Sequence, residues 1–317
     1  MRMIRKGALG AALLVLLVSA CSLGGGGSQA PSGGASGTIA SQLVLAGPPE
    51  CPDRPFCAKG LKDTYGLTFK EVKATDVGGP LTIAALDKGD AQIGLLLTSD
   101  PAIAEKGYVL LEDDKTLQLA DNLIPVVRKD ALTENPVIKD ALNGVVAKLD
   151  QATLIDLNKQ VTVDGKASAE VAKTWVDAQG FTFTGGTGNV TVGSTNFYEQ
   201  EILGEIFAQV LEKAGITVER KFQLGNREVV FPAIQAGDID ILAEYAATLL
   251  EKANGGKGEA TTDPAATAEK LRAALDPLGL TALDVAKAND QNGFVVTKAT
   301  ADKYGLAKLT DLAKAAP

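Results

Sequence analysis

The chain has 317 residues, 45% of them apolar, which is enough for two moderate α/β lobes with buried cores. Its 31 basic and 39 acidic residues give a net charge of -8, which provides no electrostatic footprint for nucleic acid or anionic lipid. The absence of histidine excludes His-based acid–base catalysis, Ser-His triads and histidine metal sites.

The N-terminal segment follows the pattern of an export signal. Three basic residues precede the apolar run GALGAALLVLLVSA, which is too short to span a bilayer. The run leads into Cys21 and a Gly/Ser-rich stretch, a pattern that resembles the lipobox of bacterial lipoproteins. It predicts a signal and lipobox over 1–21, a flexible tether over 22–40, and an extracytoplasmic protein that reaches the membrane only through a lipid on Cys21. The alternative is a cysteine that happens to follow an ordinary signal.

Two further cysteines, Cys51 and Cys57, lie close together in ECPDRPFC. In an oxidising compartment this spacing predicts a local disulfide that shapes one turn. A metal site is the weaker interpretation, because two thiolates without histidine leave most of a tetrahedral shell unfilled. We therefore predict neither a metal nor a cofactor.

A helix–strand unit occurs twice, at 78–103 and at 227–250. Each copy has apolar residues at helical spacing, a Gly-Asp stop, a short strand and a polar loop. Leu97 and Tyr245 hold equivalent positions after the two strands, where open α/β sheets place their ligand loops. The repeat predicts two lobes of similar build that enclose a cleft.

The other segments agree with a doubly wound α/β fold in each lobe. Strands that open a βα unit are predicted at NVTVGS and SQLVLAG. Helices are predicted at EQEILGEIFAQVLEKAG, DPAATAEKLRAALDPLG and AEVAKTWVDAQG. The brief apolar strands predicted to cross between the lobes are GFVVTK and IPVVRK.

Several blocks of the sequence resemble the glycine betaine/choline (osmoprotectant) substrate-binding proteins of ABC importers. They cover nearly all of 41–317, and they include VTVGSTNFYEQEILGEIFAQVLEKAG, GNREVVFPAIQAGDIDILAEYAATLL, NDQNGFVVTKATADKYGLAKLTDLA, GPPECPDRPFCAKGLKDTYGL and TSDPAIAEKGYVLLEDDK. The resemblance implies a two-lobed periplasmic-binding-protein fold of type II with two crossing strands.

The blocks stand in rotated order. In the family the G-S-x-N-F block comes first, whereas here it follows a glycine-rich linker at 184–189. The sequence therefore predicts a circular permutant, with a discontinuous lobe B (41–121 plus 290–317) and a continuous lobe A (122–289). Domain ends usually lie close together at the surface, so such a rotation is tolerated. Alternatives are a fused, trimmed gene duplicate and a swapped dimer in which a neighbour completes the split lobe.

The resemblance also implies a ligand site. A quaternary ammonium has no hydrogen-bond donor, so its site needs aromatic faces and a separate donor for any carboxylate. Tyr245 matches a tyrosine of the family's cage, and Thr248 matches the nearby hydroxyl donor. Arg54 falls where relatives have the carboxylate-binding arginine, and Asp290 matches the position that offers a carbonyl oxygen.

The remaining positions depart from the family's cage. Leu97, Asn122 and Asn292 stand where tyrosines are expected, and Thr195 replaces a lysine. These departures weaken the case for glycine betaine itself and favour a more polar zwitterion or a polyol. The amides and hydroxyls that would then contact the ligand are Thr98, Asn122, Thr195, Asn196, Asn226 and Asn292. Each of them could instead cap a helix or close a turn.

These observations predict a solute-binding lipoprotein that is not an enzyme. It would capture a small osmoprotectant-like solute, close its lobes over it and deliver it to an ABC importer permease. The alternatives are an extracellular sensor or recruitment module that binds the same solute, and a two-lobed fold adapted for catalysis.

Overall fold

The computed structural model describes residues 37–317, which fold into ten β-strands and twelve α-helices. The strands are β1 (Val44–Gly47), β2 (Glu71–Ala74), β3 (Ile93–Leu97), β4 (Val109–Leu110), β5 (Leu123–Arg128), β6 (Asn189–Gly193), β7 (Thr217–Lys221), β8 (Ile241–Tyr245), β9 (Leu280–Ala282) and β10 (Asn292–Val296). The helices are α1 (Ala58–Tyr65), α2 (Pro80–Asp87), α3 (Ala102–Glu105), α4 (Lys129–Glu134), α5 (Val137–Val146), α6 (Gln151–Thr162), α7 (Ser168–Gln179), α8 (Tyr198–Lys213), α9 (Arg227–Ala236), α10 (Ala246–Asn254), α11 (Pro264–Leu275) and α12 (Lys298–Tyr304).

The strands form two five-stranded sheets with the same internal order, β2-β1-β3-β10-β4 and β7-β6-β8-β5-β9. In each sheet the first three strands are parallel, and the fourth runs antiparallel to the third. We call the part around the first sheet lobe B and the part around the second lobe A. The predicted α/β class, with two lobes of similar build, is confirmed.

The repeated helix–strand unit occupies equivalent places in the two sheets. Leu97 ends β3 and pairs with Asn292, the first residue of β10, while Tyr245 ends β8 and pairs with Leu123, the first residue of β5. The glycine of each Gly-Asp stop has a left-handed backbone, with φ of 76° and 83°, which ends the preceding helix. The equivalence of Leu97 and Tyr245 is thus built into the sheet register.

Each lobe receives its fourth strand from a segment that crosses over from the other lobe. The two crossing segments pair with each other before they separate, through an antiparallel bridge between Asn122 and Asn289. Beside it, Asp290 N donates to Asp121 O at 3.1 Å. In sequence, strands β1–β4 precede Asn122, strands β5–β9 lie between Asn122 and Asn289, and β10 follows Asn289. We propose the predicted boundaries, 41–121 plus 290–317 and 122–289, as the limits of the lobes.

Both faces of each sheet are covered by helices, as expected for a doubly wound fold. In lobe A one face packs against α5–α8 around Phe207, and the other packs against α9–α11 around Phe231. In lobe B one face packs against α1 and α12 around Phe294, and the other packs against α2 around Leu86. The buried cores fix the strand ends, which carry the loops between the lobes.

The beginning and the end of the described chain pair with each other in lobe B. Ile39 N donates to Lys314 O at 2.9 Å, and Ala316 N donates to Gly37 O at 2.8 Å. At the other junction, Gly186 of the glycine-rich linker donates to Ala214 O at 2.9 Å and so lies against the end of α8. The linker therefore connects α7 to β6 beside the C-terminal end of α8.

Some predictions are refined, and others fall outside the described residues. The strand predicted at SQLVLAG begins only at Val44, because a short 3-10 helix occupies Ile39–Gln42. Cys51 and Cys57 form a disulfide, with 5.1 Å between their Cα atoms. The predicted signal, the predicted lipidation site Cys21 and most of the predicted tether lie outside the described residues. Within 37–317, no helix is long and apolar enough to cross a membrane.

Candidate ligand-binding site

The candidate site lies where the carboxyl ends of the parallel strands of both lobes meet. Strands β6 and β8 of lobe A end at Gly193 and Tyr245, and strand β3 of lobe B ends at Leu97. Open α/β sheets place their ligand loops at these ends. Side chains from the loops hydrogen-bond across the lobes, and we call this region the interlobe cleft.

The loop between β6 and α8 brings two candidate residues to the cleft. Thr195 is buried, its N–H donates to Gln200 Oε1 at 3.2 Å, and its hydroxyl accepts a weak bond from Phe197 N at 3.4 Å. Asn196 is exposed, and its N–H donates to Gly225 O. The rings of Phe197 and Tyr198 pack with centroids 4.6 Å apart. The hydroxyl of Thr195 thus accepts a hydrogen bond from the residue that precedes α8, while the side chain of Asn196 remains exposed.

Tyr245 lies at the centre of a buried hydrogen-bond network. Its side chain is 6% exposed, and its hydroxyl donates to Glu199 Oε1 at 2.6 Å. The other oxygen of Glu199 accepts from Asn158 Nδ2 at 2.5 Å, and the same Nδ2 donates to Ser99 O of lobe B at 3.2 Å. The orientation of the ring is therefore fixed by a carboxylate 46 residues away in sequence.

The network continues to Asp290 on the crossing segment. Ser99 Oγ donates to Asp290 Oδ1 at 2.8 Å. Burial raises the pKa of Asp290 well above its usual range, and the neighbouring charge of Glu199 raises it further. Burial also raises the pKa of Glu199, against the opposing effect of its hydrogen bonds. Asp290 therefore contributes its carboxyl group as well as its backbone to this region.

A second charged group lies beside Thr248. The side chain of Asp121 accepts bonds from both the N–H and the hydroxyl of Thr248. Arg227 makes a two-pronged contact with Glu244, with 2.8 Å between Nη2 and Oε2. Burial disfavours the charged guanidinium, but the charge of Glu244 and its hydrogen bonds raise the pKa of Arg227 overall. Burial raises the pKa of Asp121, against the opposing effect of the hydrogen bonds from Thr248 and the charge of Arg227.

Arg54 of lobe B is carried by the loop that the disulfide closes. Its side chain is exposed, and its guanidinium lies 3.6 Å from Glu50. The loop is tied to the sheet because Phe56 O accepts from Gln118 Nε2 at 3.1 Å and from Asn292 Nδ2 at 3.3 Å. Asn292 thus positions the loop of Arg54.

A cavity of about 250 Å³ lies in lobe B next to this loop. Thr98 and Asn292 line it together with Gln118 and Gln291. The hydroxyl of Thr98 donates to Asn289 Oδ1 at 3.2 Å and accepts from Gln291 N at 3.0 Å. Two of the predicted site residues therefore share one cavity, whose lining also includes Leu110, Leu111 and Phe294.

Asn122 and Asn226 have structural partners. Asn122 Nδ2 donates to Ala286 O at 3.1 Å and to Lys287 O at 3.3 Å, so the amide holds the two crossing segments together. Asn226 caps α9, since its Oδ1 accepts from Glu228 N at 3.1 Å. The side-chain donors of Asn122 are therefore used within the hinge.

The structure brings Tyr245 and Asp290 into one network and Thr98 and Asn292 into one cavity. Thr248 lies beside Asp121, while Arg54 stands on the exposed disulfide loop. The sequence prediction did not include the residues that link these groups, which are Ser99, Asp121, Asn158, Glu199 and Glu244. The NFYEQ segment carries Glu199 next to predicted site residues, but nothing local in the sequence indicates its partner.

The other polar regions considered have features that are explained without a ligand. A groove of about 640 Å³ on the outer face of α7 and α8 is lined by paired charges, such as Arg220 with Glu205 and Glu212. Those pairs account for its polar lining without a ligand. Within 37–317, no group of three or more acidic or cysteine side chains is arranged to hold a metal ion.

Comparison with known proteins identifies relatives. A family model, described as the substrate binding domain of ABC-type glycine betaine transport system, matches residues 35–178 and 188–317. A glycine-betaine-binding protein of Pseudomonas aeruginosa is 29% identical over 134 residues, 42% of this chain and 42% of the relative. The glycine betaine-binding protein YehZ of Escherichia coli is 33% identical over 143 residues, 44% of this chain and 47% of the relative. Each alignment thus spans less than half of the curated relative.

Solved structures of similar outline include apo YehZ from Escherichia coli. It is 12% identical, covers 84% of each chain and has a TM-score of 0.36. An ancestral arginine-binding protein bound to arginine is 14% identical, covers 86% of this chain and 91% of its own, and has a TM-score of 0.37.

Proposed function

Because this chain belongs to the family of substrate-binding domains of ABC-type glycine betaine transport systems, we propose that it captures a small osmoprotectant-like solute and delivers it to an ABC importer permease. The family is a solute-binding family of a transport system and not an enzyme family. The observation that carries the proposal is the meeting of Tyr245 from lobe A, Ser99 from lobe B and Asp290 from the crossing segment in one network.

The ligand class follows from the groups around the cleft. Tyr245 offers an aromatic ring, and its hydroxyl donates to the carboxylate of Glu199 at 2.6 Å, a setting that attracts a cation. Arg54 offers a guanidinium for a carboxylate, and Asn196 and Thr98 offer polar contacts. A betaine- or choline-type solute, or a more polar analogue, fits this set. Thr195, Thr248, Asn122 and Asn292 support the site by holding its loops.

Capture proceeds by hinge closure in this proposal. The paired crossing segments at Asn122 and Asn289 are the natural hinge, since both chain connections between the lobes run side by side there. A solute that contacts both lobes binds the closed form more tightly and shifts the population toward it. The closed form is then the species that the permease accepts.

We also propose that the protein acts outside the cytoplasmic membrane, held to its surface by a lipid on Cys21. The lipobox-like end of the signal and the tether-like stretch after it support this proposal. A flexible tether would let the lobes reach a permease in the same membrane.

A thermal-shift panel tests the ligand class. Glycine betaine, carnitine, choline, polyols and amino acids are added separately, and a true ligand at a hundredfold excess over its Kd should stabilise the protein by about 2.7 kcal/mol. Arg54→Ala should remove the shift given by carboxylate-bearing solutes and leave the shift given by choline. The neighbouring exposed Lys59→Ala serves as the control, since Lys59 pairs only with Asp63 among the described residues. Failure of every solute to stabilise the protein would contradict the proposal.

We propose that the chain order is a circular permutation of the family's order. The pairing of Ala316 with Gly37 supports this, as do the two family-model segments that flank the linker. A chain that begins at 189, runs to 317 and continues through 37–183 should fold to the same structure. Its unfolding free energy should lie within about 1 kcal/mol of the original, because loop-closure entropy changes slowly with loop length.

The matched control is a second rearranged chain, whose new ends lie inside α8, between Glu205 and Ile206. That cut divides a buried helix and should prevent cooperative unfolding. Circular dichroism and urea titration report both results. A restored-order chain that behaves like the cut-helix control would rule out the permutation.

A further inference from the structure

Five polar side chains fill the junction between the lobes, and all are buried. Tyr245, Glu199 and Asn158 come from lobe A, Ser99 comes from lobe B, and Asp290 comes from the crossing segment. Glu199 is 0% exposed and Asp290 is 8% exposed. Within 37–317 neither carboxyl forms an ion pair with a lysine or arginine. Two carboxyl groups are therefore buried together without a compensating cation.

The buried cluster has more hydrogen-bond acceptors than donors. The single hydroxyl hydrogen of Ser99 is donated to Asp290 Oδ1, and Ser99 is linked to Glu199 through Asn158, whose Nδ2 donates to Ser99 O and to Glu199 Oε2. Asn158 Oδ1 is buried with no hydrogen-bond partner. The hydroxyl of Ser99 is the one side-chain donor to Asp290 among the described residues, and buried polar groups are rarely left unpaired. A proton on one carboxyl group supplies the missing donor.

The surrounding charges favour the same arrangement. Tyr198 and Asp100 lie near the pair on one side, Asp121 acts on Asp290 from the neighbouring crossing segment, and Glu244 acts on Tyr245. Arg227, which also acts on Asp121 and Tyr245, is paired with Glu244 and forms no ion pair with Glu199 or Asp290 among the described residues. Two ionised carboxylates in these surroundings would repel each other, because no lysine or arginine within 37–317 forms an ion pair with either of them.

We propose that Glu199 and Asp290 share one proton through Ser99, and that this protonated pair clamps lobe B to lobe A. Asp290 is the main holder of the proton. Glu199 stands in the first turn of α8, where the helix dipole favours a negative charge, and it already accepts from Tyr245 and Asn158. The clamp goes beyond the proposed transport function, because it acts in the absence of a ligand. The experiments that test it are done without ligand, so their outcome does not depend on the transport function.

The direction of the pH dependence follows from the raised pKa of both groups. Unfolded carboxyl groups lose their protons near pH 4, whereas the folded pair keeps one proton to a higher pH. Through this pair the folded protein binds more protons than the unfolded chain, so the pair's contribution to stability is greatest at low pH and falls as the pH rises.

Urea unfolding of the purified protein at pH 5, 6, 7 and 8 tests the clamp. As long as the folded protein retains the shared proton, each increase of one pH unit should lower the folding equilibrium constant tenfold. Asp290→Asn, which mimics the protonated acid, should remove this tenfold change per pH unit. Glu199→Gln leaves Asp290 buried and should therefore keep part of the slope. Equal slopes for the original protein and Asp290→Asn would overturn the proposal.

Glu205→Gln is the matched control, because Glu205 lies on the same helix and is similarly buried but pairs with Arg220 at 3.1 Å. It should keep the full slope.

Small-angle X-ray scattering provides a second readout that a merely structural role would not change. The radius of gyration of the original protein should increase as the pH is raised and the clamp loses its proton, while that of Asp290→Asn should stay constant. The same increase in both proteins, or no increase in the original, would contradict the clamp.

Discussion

Replacement of Arg227 by alanine should lower the free energy of unfolding by about 3 kcal/mol, because it leaves the carboxylate of Glu244 buried without its partner. The side chain of Glu244 is 1% exposed, and it accepts two-pronged hydrogen bonds from Arg227. Its only other described partner is the N–H of Tyr245, at 3.2 Å. Urea titration at pH 7 measures the loss.

The double variant Arg227→Ala with Glu244→Gln separates this effect from lost packing. Removal of both charges should cost much less than removal of one, since no unpaired ion then remains buried. Because Asp121 lies in the field of the same pair, the single variant should also weaken the contact between Asp121 and Thr248. A single variant as stable as the double variant would show that the pair does not compensate buried charge.

Substitution of Gly60 by alanine should cost about 3 kcal/mol and displace the loop that carries Arg54. A Cβ at this position would lie 1.6 Å from Pro55 O and 2.8 Å from Leu117 Cδ1. The first of these atoms belongs to the backbone, so the loop must move. The movement would disrupt the bonds from Gln118 and Asn292 to Phe56 O and would reduce the thermal shift given by carboxylate-bearing solutes.

Gly144→Ala is the control for the Gly60 variant. Gly144 also lies inside a helix, but the added Cβ would meet the ring tip of Phe183 at 2.6 Å, and a side chain can turn away more easily than a backbone carbonyl. Its cost should therefore be smaller, and ligand shifts should be unchanged. If the two variants behaved alike, the close contact between Gly60 and Pro55 would not constrain the Arg54 loop.

The two variants examine the two lobes at the proposed ligand site. Arg227 supports the end of β8 in lobe A, where Tyr245 and Thr248 are carried, and Gly60 supports the disulfide loop of lobe B. Both regions are held by buried contacts, while the hinge consists of two paired backbone segments. Rigid lobes on a narrow hinge suit a protein that closes over a solute.

The elements that the sequence determined are those set by local signals. The two helix–strand units, the long helix α8 and the crossing strands follow from apolar periodicity and from glycine stops, which act over a few residues. The same holds for the disulfide, since its cysteines are six residues apart. The matched blocks also indicated the family, because sequence similarity does not depend on knowing which residues touch.

The contacts of the site were decided only by the tertiary structure. Tyr245 meets Glu199 across 46 residues, and Ser99 meets Asp290 across 191. Asn122 was predicted to bind ligand, yet its donors join the crossing segments. A carboxylate or amide has the same local signature whether it binds ligand, caps a helix or joins two lobes. Its role is set by the partner that folding brings near it, and a single sequence does not record that partner.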